Sequence, residues 1–217
     1  MRLFTAVYPS AEASAHLDLA LGSIGGAAVA DPGAGLRWTP KEQRHVTLAF
    51  HGEAPDGAVP GYATSLAAAL ALVEPFEVAL AGGGSFGGRT LWVGVGEGLP
   101  GLRELAAAVG EAAAEAGLRA DDRAGGRPHL TLARASASRV AQRGMTSRGM
   151  TDRGGSRRPR GRVEEGAPLA AWAHALAVYR GPAWRVTSVH VVASELGAGR
   201  SGGPLHRDVA VLALGRG

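Results

Sequence analysis

The 217-residue sequence contains no cysteine, and this absence excludes several kinds of site. Without thiols there is no disulfide framework, no zinc–thiolate centre and no cysteine nucleophile. The sequence also lacks a run of about 18 uninterrupted apolar residues, so no membrane-spanning helix is predicted. The apolar stretch at the N-terminus is too short for a signal peptide and is interpreted as a first strand. We therefore expect a cytoplasmic protein that makes no membrane contact.

Two familiar ligand-binding patterns are also missing. The sequence has no carboxylate cluster and no pair of histidines at metal-ligand spacing, so no metal site is predicted. The glycine-rich residues 82–88 lack the Gly-Lys-Ser/Thr ending of a phosphate-binding loop, and a strand rather than a helix is predicted after them. We interpret them as the bend of a hairpin between strands at 76–80 and 90–95.

Positive charge is concentrated in one segment. Residues 134–162 contain nine of the 23 basic residues and one of the 19 acidic residues, so the high isoelectric point belongs to this segment and not to the fold. Residues 136–165 are rich in arginine and glycine and have no apolar periodicity, which predicts a disordered insertion. Two interpretations remain open: the insertion guides RNA electrostatically, or it is a tolerated surface segment.

The most informative pattern is a four-residue stretch that occurs twice, as His45-Val-Thr-Leu and His129-Leu-Thr-Leu. Seven histidines and nine threonines predict roughly 0.3 His-x-Thr matches by chance in a chain of this length. Each copy alternates polar and apolar residues, which is typical of a half-buried strand. We expect the histidine and threonine of each copy to share an open face while the apolar residues pack on a core.

The pattern around these motifs predicts the element order β-α-β-α-β-β-α-β-loop-α-β-β, with the last two strands at 184–194 and 209–214. Each half contains a helix, a His-x-Thr strand, another helix and a strand pair. We therefore predict an α+β fold of two pseudo-symmetric lobes, with mostly antiparallel sheets and outer helices. The motif strands are expected to face each other across an active-site cleft. Residues 1–217 would form one bilobal domain that carries the insertion.

Two imidazoles at a cleft can act as a general acid and a general base, because histidine titrates near neutral pH. Thr47 and Thr131 lie about 7 Å further along their strands and can donate hydrogen bonds to an anionic oxygen. Arg134, at the end of its strand, could bend toward the same anion and bind it bidentately. The predicted chemistry is metal-free acid–base attack on a tetrahedral anion, most naturally a phosphodiester.

The remaining aromatic residues have simpler interpretations. His51 lies on the His45 face by strand alternation and is predicted to be a solvated rim residue. Trp38 could stack on a terminal base or belong to the core. Trp92, Trp172 and Trp184 are predicted to be core residues. His16, His174 and His190 are predicted to be surface or packed histidines.

The two His-x-Thr motifs and the blocks around them resemble the 2H phosphoesterases, which are defined by two His-x-Thr/Ser motifs. The resemblance is to the RNA 2′,3′-cyclic phosphodiesterase family in particular. The similar blocks are residues 2–7, 36–38, 45–53, 127–134 and 189–197. The resemblance covers nearly the whole chain apart from the insertion. Where the family usually has a tyrosine after the final Gly-Pro, this chain has His206.

The resemblance implies a bilobal fold and a role in RNA processing, namely hydrolysis of a terminal 2′,3′-cyclic phosphate on RNA to a 2′-phosphate. No cofactor and no metal is implied. His45 would be the general acid that protonates the departing O3′, and His129 the general base that activates water. Thr47, Thr131 and Arg134 would hold the phosphate. The implied partner is RNA with a 2′,3′-cyclic phosphate end, and we expect a monomer.

Two other functions remain open at this point. The protein could be a 2H enzyme that acts on a small cyclic nucleotide or joins RNA ends. Alternatively, it could be a non-catalytic RNA-binding protein that uses the Arg/Gly segment at 136–165, with the folded part as a scaffold. The second alternative predicts that the histidines are dispensable and that deleting 136–165 abolishes activity.

Overall fold

The structure is a computed structural model that describes residues 1–25, 35–120, 127–135, 167–199 and 203–215. The predicted insertion at 136–165 lies outside the described residues. The strands are β1 Arg2–Val7, β2 Leu36–Trp38, β3 Val46–Glu53, β4 Phe76–Phe86, β5 Thr90–Glu97, β6 His129–Ala135, β7 Arg180–Val186, β8 Ser188–Glu195 and β9 Leu205–Ala213. The helices are α1 Ala11–Gly25, α2 Val59–Leu70, α3 Leu99–Glu115 and α4 Ala167–Leu176, with single 3₁₀ turns at Lys41–Gln43 and Asp56–Ala58.

Within the described residues the nine strands form one antiparallel sheet in the order β7-β4-β5-β6-β3-β1-β8-β9, and β2 pairs with β6. The sheet has two halves of four strands, which meet where Val46 of β3 pairs with Leu130 of β6. The predicted α+β fold with two similar lobes of antiparallel sheet is confirmed. The single strand predicted at 184–194 is in fact two strands, because Thr187 separates β7 in one half of the sheet from β8 in the other.

The lobes are not the two halves of the sequence. Helices α2 and α3 pack on each other and on β9 and β3, whereas α1 and α4 pack on the lobe formed by β7, β4 and β5. The core lies between the helices and one face of the sheet, and its fully buried members include Val7, Leu17, Leu66, Leu105 and Leu130. The opposite face of the sheet therefore remains available for a site. Among the described helices, none combines the length and apolarity that a membrane span requires.

The glycine-rich stretch serves packing more than turning. Residues 82–86 continue strand β4 instead of forming the predicted long bend, and the turn is confined to residues 87–89. A Cβ at Gly83 would collide with Leu176 of α4, and a Cβ at Gly84 would collide with the ring of Trp92. The predicted hairpin is therefore present, but its bend is shorter than predicted. The two glycines lie within the strand, where they allow a helix and an indole to approach closely.

Candidate active site

The two motifs lie side by side where the lobes meet. Val46 and Leu130 are cross-strand partners in an antiparallel pair, and extending this register by one residue places His45 opposite Thr131 and Thr47 opposite His129. Cross-strand neighbours are about 5 Å apart and alternate residues of a strand about 7 Å apart. The two histidines therefore occupy one diagonal of a small quadrilateral, and the two threonines occupy the other.

Both imidazoles are oriented by the same backbone contact. Nδ1 of His45 is 2.7 Å from the carbonyl oxygen of Gln43, and Nδ1 of His129 is 3.0 Å from that of Arg127. A carbonyl oxygen only accepts, so each Nδ1 carries a proton and donates it. Nε2 is then the atom at which each imidazole gains or loses a proton. The two histidines therefore have the same tautomer.

A β-bulge follows each motif at the same place. The extra residue is Leu48 in β3 and Leu132 in β6. In both strands this leucine and the alanine after it face the core, so the alternation of side chains is inverted beyond the bulge. As a result, Arg134 lies on the same face as His129 and Thr131. Arg134 therefore reaches the site through the bulge and not by bending at the strand end, as the sequence suggested.

The site face carries a pair of guanidinium groups. Arg37 of β2 is the cross-strand partner of Arg134, and burial together with Arg37 lowers the pKa of Arg134, which still stays charged at neutral pH. The charge of Arg134 also helps to lower the pKa of His45. Sequence reasoning missed Arg37 as a member of this surface, because its position depends on the pairing of β2 with β6.

The prediction for His51 is wrong because of the bulge at Leu48 in β3. His51 is 3% exposed and lies on the core face, not on a solvated rim beside His45. Its Nδ1 donates to the carbonyl oxygen of Arg119 at 2.6 Å, and its Nε2 accepts from the hydroxyl of Thr5 at 2.9 Å. The hydroxyl of Tyr62 in turn donates to Thr5 at 2.7 Å. Burial lowers the pKa of His51, which acts as a neutral structural residue.

His45 lies in an aromatic environment. Its ring stacks on Phe4 with the centroids 4.7 Å apart, and Tyr8 lies 5.7 Å away. Burial lowers the pKa of His45 to about 4; the hydrogen bond to Gln43 opposes this shift, and His206 and His129 add to it. In the unliganded protein at neutral pH, His45 is therefore uncharged.

His206 is a third histidine at the site. Its ring is 5.5 Å from that of His45 and 5.0 Å from that of Phe4, both edge to face. Burial lowers the pKa of His206, and its Nδ1 is buried with no hydrogen-bond partner among the described residues. In the sequence, His206 was notable only as a departure from the family pattern. Its contact with His45 was not predicted, because it depends on β9 lying two strands from β1 in the sheet.

His129 has different aromatic neighbours. The ring of Phe86 meets it edge to face at 4.9 Å, and Trp92 lies 6.2 Å away. Trp92 stacks on Phe86 at 5.2 Å, and the guanidinium of Arg127 lies 5.9 Å from the Trp92 ring. Trp92 is buried, as predicted, but on the site face, because it pairs with Thr131 and rests on Gly84.

The other tryptophans belong to the opposite face. Trp184 is a core residue and Trp172 packs against the core, as predicted. Trp38 meets Trp172 edge to face at 4.9 Å and pairs with the fully buried Ala133. This placement supports the core role of Trp38 and not the base-stacking role that the sequence left open.

The arrangement is suited to acid–base chemistry on a phosphate ester. It offers two imidazole Nε2 atoms for proton transfer, two hydroxyls and a guanidinium for anionic oxygens. Within the ranges that the structure describes, no group of three or more histidine, aspartate or glutamate side chains could hold a metal ion.

Comparison with known proteins identifies a family and relatives of this chain. The profile of the 2'-5' RNA ligase superfamily matches residues 22–152, which include both motifs. A curated protein of Geobacillus stearothermophilus named RNA 2',3'-cyclic phosphodiesterase is 42% identical over 101 residues, which are 45% of this chain and 32% of that protein. The match thus spans about a third of the length of this relative.

Solved structures share the fold over nearly the whole chain. TT0787 of Thermus thermophilus has a TM-score of 0.64 at 27% identity, with 100% of both chains covered. LigT of E. coli in apo form has a TM-score of 0.64 at 19% identity, with 99% of this chain and 98% of that chain covered. The profile match spans more than half of the sequence and contains the two His-x-Thr strands. The chain therefore belongs to the 2'-5' RNA ligase superfamily, as its resemblance to the 2H phosphoesterases predicts.

Proposed function

We propose that this chain hydrolyses the 2′,3′-cyclic phosphate at the end of RNA to a 2′-phosphate, with His45 and His129 as the acid–base pair. The observation that carries the proposal is the equivalent pair of imidazoles, each held by a backbone carbonyl so that Nε2 exchanges the proton. The curated relative that bears the name of this activity supports the choice of substrate.

In the proposed reaction a water oxygen attacks phosphorus on the side opposite O3′. Nε2 of His129 accepts the proton of this water, and the new P–O bond forms as the P–O3′ bond breaks. Nε2 of His45 donates its proton to O3′, while the P–O2′ bond remains and leaves a 2′-phosphate. Thr47, Thr131 and Arg134 hold the non-bridging oxygens, whose negative charge grows in the transition state.

The acid role of His45 requires a proton that the unliganded site does not hold at neutral pH. Burial keeps His45 neutral, with its pKa lowered to about 4. A bound phosphate places negative charge beside the imidazole and raises its pKa. Substrate binding would therefore be coupled to proton uptake by His45, and the phosphate itself would prepare the acid.

The test is incubation of an oligonucleotide that ends in a 2′,3′-cyclic phosphate, with excess chelator, followed by phosphorus NMR of the product. We expect complete conversion to the 2′-phosphate, with His129→Ala as the parallel control. A 3′-phosphate product would reverse the assignment of the departing oxygen. Loss of turnover with chelator that a divalent ion restores would contradict the proposed mechanism.

A second candidate function, the joining of RNA ends, is favoured by the name of the superfamily. The 5′-hydroxyl of another RNA would replace water, lose its proton to His129 and form a 2′–5′ linkage as O3′ departs. Adding a 5′-hydroxyl oligonucleotide to the same assay tests this, because ligation gives a longer product. The non-catalytic alternative predicts instead that deletion of 136–165, and not mutation of His129, abolishes activity.

We further propose that the protein works as a cytoplasmic monomer. Size-exclusion chromatography with light scattering would test the oligomeric state, and cell fractionation would test the localisation.

A further inference from the structure

A cavity of about 420 Å³ lies beside His45, and the proposed reaction does not use it. Its wall consists of Tyr8, Glu42, Gln43, His190, Leu205, His206 and Asp208. Two of these residues contact the proposed acid directly, because Gln43 accepts its Nδ1 proton and the ring of His206 lies 5.5 Å away. The volume is within the usual range for small-molecule sites, about 300–1,000 Å³.

The proposed reaction, on which this inference rests, determines what would lie in the cavity. His45 donates a proton to O3′, so the terminal ribose lies on the His45 side of the phosphate. The attacking water lies on the opposite side, beside His129. The cavity next to His45 is therefore on the same side of the phosphate as the terminal ribose and its base.

The cavity wall suits a planar base. Tyr8 and His190 meet edge to face with their centroids 4.8 Å apart, and Leu205 adds an aliphatic surface that is 46% exposed. Unpaired bases are commonly held against aromatic and apolar side chains of this kind. Burial and the charge of Asp208 raise the pKa of Tyr8 to about 12, so its hydroxyl keeps its proton and can donate to a base carbonyl.

The polar groups of the cavity distinguish among bases. Asp208 accepts a hydrogen bond from Nδ1 of His190 at 3.0 Å, and its carboxylate has further lone pairs for a ligand. Guanine presents adjacent N1–H and N2–H donors on its Watson–Crick edge, which one carboxylate can accept together. Uracil presents a single N3–H between two carbonyl oxygens, and these would repel the carboxylate.

We propose that this cavity binds the base of the terminal nucleotide and that Asp208 selects guanine. The probes are the four nucleoside 2′,3′-cyclic monophosphates, compared by kcat/KM. Guanosine should exceed uridine by roughly ten- to hundredfold, which is the discrimination expected of one bidentate contact.

The variant Asp208→Asn should reduce the guanosine-to-uridine ratio to within about threefold, because the amide replaces one acceptor by a donor. The side chain of Asp208 is 44% exposed, so we expect the variant to fold, and a thermal melt checks this. Glu42→Gln, which removes the other, exposed carboxylate of the cavity wall, is the matched control and should keep the wild-type ratio.

The possible failures can be separated. Turnover of all four nucleotides at similar rates, or a guanosine preference that Asp208→Asn leaves intact, would overturn the base assignment while the proposed function stands. Absence of turnover on these nucleotides and on the cyclic-phosphate oligonucleotide would overturn the proposed function and the base assignment together.

Discussion

The two motif strands share one backbone arrangement but differ in what surrounds them. Each residue of β6 lies 84 positions after its counterpart in β3, as His129 does after His45, and both strands carry a bulge at the same leucine. Both imidazoles donate from Nδ1 to the carbonyl oxygen two residues earlier. The side chains around them do not match: Phe4 stacks on one imidazole, whereas Phe86 meets the other edge to face.

This difference shows how a symmetric framework can support an asymmetric reaction. The repeated strands supply two equivalently oriented imidazoles, which we propose transfer protons, while the neighbouring residues make one lobe unlike the other. Beyond the bulge, Arg134 in β6 corresponds to Phe50 in β3, which is 37% exposed and lies 6.1 Å from Phe4. Of these two positions, only the one in β6 thus carries a charge, which the proposed mechanism places beside the phosphate.

The largest expected effect comes from removing either imidazole. His45→Ala and His129→Ala should each lower kcat by roughly 10²–10⁴-fold, the usual contribution of a general acid or base. The double variant should lose much less than the product of the two effects, because the residues act as a unit. Both side chains lie on the site face, so thermal melts should show folded protein. A folded His129→Ala variant with near wild-type turnover would contradict the mechanism.

The next effect tests the asymmetry between Arg134 and Phe50. Arg134→Met should lower kcat/KM by roughly ten- to hundredfold, because a charge-assisted hydrogen bond contributes about 1.5–3 kcal/mol. Phe50→Met, the matched change at the equivalent position, should alter kcat/KM by less than about threefold, because it removes no charge. Equal losses in steady-state assays of the two variants would show that the lobes contribute alike.

Smaller effects are expected at the two threonines. Thr47→Val and Thr131→Val each remove one hydroxyl that the proposed mechanism assigns to the phosphate, at a cost of about 0.5–1.5 kcal/mol. We expect losses of roughly two- to tenfold in kcat/KM for each variant. Opposite each threonine lies the histidine of the other motif, so the two losses should be similar. A loss as large as that of a histidine variant would mean that the threonine takes part in proton transfer.

The smallest effect on turnover is expected at His51. This variant tests whether the bulge at Leu48 inverts the alternation of side chains and places His51 on the core face. His51→Ala should lower the free energy of unfolding by about 1–3 kcal/mol, because the hydroxyl of Thr5 and the carbonyl of Arg119 lose a buried partner. Its kcat should stay near that of the wild type when the protein is folded. Urea denaturation and steady-state assays at one temperature measure both quantities. Unchanged stability together with lost turnover would place His51 in the site instead.

The sequence predicted the parts of the site that depend on strand alternation and failed where the alternation changes. His45, Thr47, His129 and Thr131 follow a period of two and lie on one face, as expected. The bulge at Leu48 moves His51 to the core, and no local pattern in the sequence marks it. The equivalent bulge at Leu132 brings Arg134 to the site by a route that simple alternation does not give.

Long-range pairing explains the other omissions. Arg37 and His206 join the site only because β2 pairs with β6 and β9 lies two strands from β1. The lobes were predictable as a repeated order of elements. The packing of α1 on β7 in one half of the sheet and of α3 on β3 in the other half was not predictable. It depends on which sheet half each helix covers, and that is decided by packing over the whole chain.

The most direct test of the two-histidine account is the pH dependence of kcat/KM and of kcat on a cyclic-phosphate oligonucleotide. One histidine must be protonated and the other neutral, so kcat/KM should follow a bell whose limbs report the unliganded pair. The acidic limb reports the lower pKa of the pair, below which both histidines are protonated and no neutral base remains. Because the pKa of His45 is lowered to about 4, this limb should lie near pH 4. In kcat this limb should move to higher pH, since bound phosphate raises the pKa of His45. A profile of kcat/KM that is flat from pH 4 to about 9, or a limb near pH 4 that persists in His45→Ala, would contradict the account.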